Sequence, residues 1–84
     1  MKYTFPALIK EDLDNPGYMV ISFPDLIGIG SECQMGKEEE TAKEVLELAL
    51  SAPHLHLVEP TDINYLKQRY PDYKVILVTV DIEN

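Results

Sequence analysis

Near the end of the chain, Val75-Ile76-Leu77-Val78-Thr79-Val80 runs apolar on both alternating faces and is rich in β-branched residues. Such a run forms a strand covered on both sides, because a half-exposed strand would alternate apolar with polar residues. It therefore belongs inside a sheet or in a contact between subunits, and the rest of the 84-residue chain must supply that cover. A chain of this size holds one domain, residues 1–84, with a small core.

Three further segments read as strands. Tyr3, Phe5, Ala7 and Ile9 alternate with Lys2, Thr4, Pro6 and Lys10, the period-2 pattern of a strand with one buried face. Pro6 cannot donate to a ladder, so its N side must face away from a paired neighbour or sit at a bulge. Residues 11–17, with Asp12, Asp14, Asn15, Pro16 and Gly17, form a hairpin loop into a second strand at Tyr18 to Phe23. A folded connection at Pro24-Asp25 and Gly28 leads to a short third strand, Ile29 to Gln34.

Between Lys37 and Leu50, Ala42, Val45, Leu46, Ala49 and Leu50 recur at helical spacing while Glu38, Glu39, Glu40, Lys43, Glu44 and Glu47 cover the remaining surface. The first-turn glutamates suit the positive end of the helix dipole. Pro53 ends this helix, and a short second helix is predicted from Thr61 to Arg69, started by Thr61-Asp62. The predicted class is α+β: β-β-β-α-β, one main helix on a mixed four-stranded sheet, with the helix crossing over so that the last strand runs parallel to the first.

Charge is distributed unevenly along the chain. The net charge of −8 arises between Glu11 and Glu47, where ten carboxylates face only Lys37 and Lys43; the remaining residues balance. An anionic surface repels nucleic acid and anionic lipid and attracts a basic protein. Contact with such a partner is assigned to Glu11, Asp12, Asp14, Asp25, Glu32, Glu38 and Glu39. For Asp25 the competing reading is a turn-holding residue, and for the helix glutamates a solvated face. No apolar run approaches the ~18 residues of a membrane helix, and the lone Cys33 permits no internal disulfide, which fits a reducing cytoplasm.

Catalytic chemistry finds little support. Two-metal nucleolysis needs about four converging carboxylates, and the apolar strands offer only Asp81. His54-Leu55-His56 has a spacing compatible with a metal but lacks a clear third ligand, so a solvated loop pair is the better reading. Cys33 beside Glu32 lacks the positive surroundings that make a thiolate. No cofactor is expected.

Several segments resemble the N-terminal domain of the HicB-like antitoxin family: Tyr3-x-Phe5-Pro6-Ala7, Gly17-Tyr18-x-Val20-x-Ser22-Phe23-Pro24-Asp25-Leu26-x-Gly28, Glu40-Thr41-Ala42-Lys43-Glu44-Val45-Leu46-Glu47, Glu59-Pro60-Thr61 and Val75-x-Leu77-Val78-x-Val80-Asp81. The chain departs from the family at Ile27 and Ile29, where Pro and Cys are usual, and at Glu32-Cys33-Gln34, where the helix entry usually resembles Gly-Asp-Thr. The resemblance implies a partial ribonuclease H-like fold and a non-enzymatic domain that neutralises a small basic, HicA-like RNA-cleaving toxin. Many relatives continue into a DNA-binding domain, whereas this sequence ends at Asn84, so no direct DNA binding is expected of it. Self-association through a strand edge, with a dimer favoured, is also expected. The alternative is an orphan dimeric scaffold or ligand-sensing module of the same fold.

Overall fold

The computed structural model describes residues 1–52 and 58–83, so His54 and His56 lie outside the described residues. Four strands, β1 (Lys2–Glu11), β2 (Tyr18–Ser22), β3 (Gly30–Gln34) and β4 (Lys74–Asp81), form one sheet in the order β3-β2-β1-β4. Two helices, α1 (Glu38–Leu50) and α2 (Ile63–Arg69), accompany it. The strand and helix segments expected from periodicity all form, within one residue or two at their ends.

The direction of β4 corrects the expected mixed sheet. β4 is antiparallel to β1, pairing Lys2 with Asp81 and Ile9 with Lys74, so every neighbouring pair in the sheet is antiparallel. One helical crossing after β3 would have returned the chain for a parallel last strand. Instead the chain traverses the sheet twice. α1 begins near Ile9 and Lys74 and ends beside Gly28 to Ser31, at the opposite end of the sheet. The segment carrying α2 then leads back to the Lys74 end before β4 starts. Asp62 caps α2 by accepting from the Tyr65 N–H at 3.2 Å, as its sequence position anticipated.

The position of β4 also departs from a simple sequence reading. Among the described residues it stands at the margin of the sheet, paired only with β1, and is not an interior strand. β1 and β2 have neighbours on both sides, and β1 is buried from Phe5 through Ile9. Its odd-numbered side chains, Phe5, Ala7 and Ile9, join Ile21, Cys33, Val78 and Val80 under the α1 residues Ala42, Leu46 and Ala49. Its even-numbered side chains point to the other face. There Pro6 and Leu8 are buried, and Lys10 sets its ammonium 5.4 Å from the ring centre of Tyr73, just beyond α2.

Pro6 fits because of register. Met1 and Ile82 exchange both backbone bonds, so Tyr3, Phe5, Ala7 and Ile9 are the β1 residues that bond β4. The missing N–H of Pro6 therefore faces β2, whose ladder with β1 begins only at Leu8. Gly30 is required for a different reason: a Cβ there would stand 2.6 Å from the Ile21 carbonyl oxygen.

Replacing Leu46, which is fully buried, with Ala is expected to cost about 2–5 kcal/mol of stability in urea unfolding. Leu48→Ala, two residues away on the exposed side of α1, should stay within about 0.5 kcal/mol of the parent.

Candidate functional site

Two turns meet at the end of the sheet where β1 and β3 finish. The β1–β2 turn is closed by Asp12 N–H to Tyr18 O (2.9 Å), Asn15 N–H to Asp12 O (3.2 Å) and Tyr18 N–H to Asn15 O (3.1 Å). The β3–α1 turn passes through Gly36 at φ 96°, a left-handed conformation that favours glycine. Met35 N–H donates to Gly17 O at 2.9 Å and ties the two turns together. This junction gathers Glu11, Asp12, Asp14, Glu32, Glu38 and Glu39 at one end of the domain.

Asp12 and Glu32 are the most closely associated of these acids. The two carboxyl groups share a hydrogen bond, which pushes the Glu32 carboxyl above the usual glutamate range and holds Asp12 below the usual aspartate range. Asp12 is further favoured as an anion by the Asp14 N–H at 3.0 Å, while Asn15 donates to Glu32 Oε1 at 3.0 Å. Register explains the meeting: Glu32 pairs with Val20, so its side chain lies on the same face as Lys10 and close below the β1–β2 turn. Sequence spacing alone gave no sign of this pair.

Glu38 accepts from the Gly36 N–H and so closes the turn entering α1. With Glu39, Glu40, Lys37, Lys43, Lys74, Ile9 and Ile76 it lines a groove of about 540 Å³ between α1 and the β1/β4 side of the sheet. Charge there is mixed. On the β2/β3 side, by contrast, Asp12, Asp14 and Glu32 have no ion-pair partner among the described residues, whose two ion pairs are Met1–Asp81 and Lys37–Glu40.

Asp25 stands apart. It lies at the opposite end of the sheet, where one carboxylate oxygen accepts from the Thr61 N–H at 2.8 Å and the other bonds the Thr61 hydroxyl. Its partner is thus 36 residues distant, not in its own turn, and the pair ties the β2–β3 connection to the approach of α2.

Cys33 lies under α1, 8 % exposed, and its thiol is pushed up first by burial and then by the negative charge of Glu38 and Glu32; a bond with Thr41 opposes this only partly. Among the described residues no group of three or more His, Cys, Asp or Glu is arranged to hold a metal ion, and no helix is long and apolar enough to cross a membrane. No family model, curated protein or solved structure matches the chain.

The Asp12–Glu32 pair has a definite pH signature. Its preferred state, Asp12 ionised and Glu32 protonated, prevails from below the reference aspartate value of 3.8 to above the reference glutamate value of 4.5. The Asp12 contribution is present above 3.8 and is lost as pH falls through its lowered folded value. The raised value of Glu32 means that its ionisation destabilises the fold as pH rises above 4.5. Carboxyl-carbon NMR titration should place Glu32 above, and Asp12 below, those references. Glu32→Gln, which keeps a neutral donor at every pH, should raise Tm at pH 7 and lose that advantage between pH 3.8 and 4.5.

Proposed function

We propose that this protein is a non-enzymatic, antitoxin-like binding domain that neutralises a small basic ribonuclease by occupying its RNA-binding surface. The observation that carries this reading is the group Asp12, Asp14 and Glu32. Two of its carboxyls are held against one another, and no cation of the described chain pairs with any of the three. Ionised together, they repel; an arginine or lysine from a partner would relieve that repulsion and gain charge-assisted hydrogen bonds. Glu11, Glu38 and Glu39 extend the same field and would steer a cationic protein toward this end of the sheet.

The motif resemblance to HicB-like antitoxins supplies the partner class, a basic HicA-like toxin, and the lone Cys33 fits a reducing cytoplasm as the setting. The strand order β3-β2-β1-β4 with α1 on one face supports kinship with a partial ribonuclease H-like fold, although the antiparallel β4 sets this chain apart from it. Asp25, engaged with Thr61, contributes to the shape of the β2–β3 connection. The second reading, an orphan dimeric scaffold, is favoured by the outer edge of β4, which pairs with no strand among the described residues.

Mixing the protein with a small basic, HicA-like ribonuclease should protect RNA in proportion to added domain, up to an equimolar ratio. Replacing Asp12, Asp14, Glu38 and Glu39 together by Lys should slow association by about tenfold or more at low ionic strength and flatten its salt dependence. Unchanged association kinetics would remove the electrostatic basis of the proposal, and absence of protection would favour the scaffold.

A further inference from the structure

Among the described residues the outer edge of β4 has no strand beside it, and it lacks the features that keep sheet margins from pairing. Because Ile82 exchanges backbone bonds with Met1, the even-numbered residues of β4 bond β1, and Val75, Leu77, Thr79 and Asp81 direct their N–H and C=O groups outward. From Val75 to Val80 this edge carries no charge, proline or glycine. Leu77 is 56 % exposed. The other margin, β3, is shorter at five residues and carries Ser31, Glu32 and Gln34, as a protected edge does.

We infer that two copies of this chain pair antiparallel through β4, about a two-fold axis at Leu77, to make one continuous eight-stranded sheet. A two-fold relating antiparallel edge strands must stand perpendicular to the sheet, so the α1 helices of both copies remain on one face. With Leu77 opposite Leu77 of the second copy, Val75 meets Thr79 and Ile76 meets Val78, and the outward backbone groups of all the odd-numbered residues between them find partners. The register that sets Leu77 opposite Thr79 would bring Asp81 against the apolar Val75.

Charge on the flanking helix is self-complementary in the same arrangement. Glu39 and Lys43, one helical turn apart on α1, line a groove along the β4 edge with Ile76, Leu77, Val78 and Thr79. The two-fold reverses their order in the second copy, so each Glu39 comes opposite a Lys43. β4, paired with β1 along one edge, thereby obtains a hydrogen-bonding neighbour along the other from an identical strand. The inference stands independently of any toxin.

Sedimentation equilibrium of the full chain at about 100 μM should give twice the 9.6 kDa of one chain; a monomer would overturn the proposal. Leu77→Lys, at a position already exposed, should raise the dimer dissociation constant at least about tenfold, while Ile27→Lys near the β3 side should leave it unchanged. The reverse pattern would overturn the assignment to β4. Leu77→Cys should form an interchain disulfide under oxidation, since opposed residues of a hydrogen-bonded pair lie about 5.5 Å apart between Cα atoms. Thr79→Cys, four residues out of register with its own copy, should not. Equal cross-linking of the two would overturn the axis at Leu77.

Discussion

The packing of α1 across the inner face of the sheet, with its closest approaches to β4 and β3, is the contact on which the domain depends. Ala42, Leu46 and Ala49 present a narrow, close-fitting stripe, and the small Ala7 on the sheet lies in the same cluster as the larger Phe5 and Ile9. Small residues on both surfaces allow a close approach of helix and sheet, which suits a chain too short to build a thick core. Every described segment at the acidic end is placed by this contact, because the turn that enters α1 is joined through Met35 and Gly17 to the turn that leaves β1.

Electrostatics then acts on a frame already fixed by apolar packing. Among the described residues no polar or charged residue is buried, so the carboxylates tie turns and helix ends, as Asp25 and Asp62 do, but take no part in the core. Their arrangement is free to serve encounter with another molecule, and the repulsion between Asp12 and Glu32 is sustained by backbone geometry. The lysines are not shared equally. Lys37, Lys43 and Lys74 stand on the β1/β4 side of the same end, which leaves the β2/β3 side as the more strongly anionic region.

Periodicity made most of the elements legible because each is amphipathic in its own register: Phe5, Ala7 and Ile9 for β1, and Ala42, Leu46 and Ala49 for α1. What it could not convey was the number of times the chain crosses the sheet. That depends on the stretch between Leu50 and Lys74, where prolines interrupt every pattern and a seven-residue helix decides the direction of β4. The candidate site was legible as a composition of charge but not as a geometry. Asp12 meets Glu32 through strand register, and Asp25 meets Thr61 through the return of the chain; neither relation is local in sequence.

The central position of β1 bears on the order in which the molecule assembles. β1, β2 and β3 join by short connections and can associate early, while the β4 side of β1 is completed by residues about seventy positions further along the chain. Closing so long a loop costs entropy before its contacts return any gain, so the last strand is expected to dock late in the rate-limiting step of folding. Until then the most apolar stretch of the polypeptide remains open to other chains, and the window for misassembly is set by the time β4 takes to reach β1.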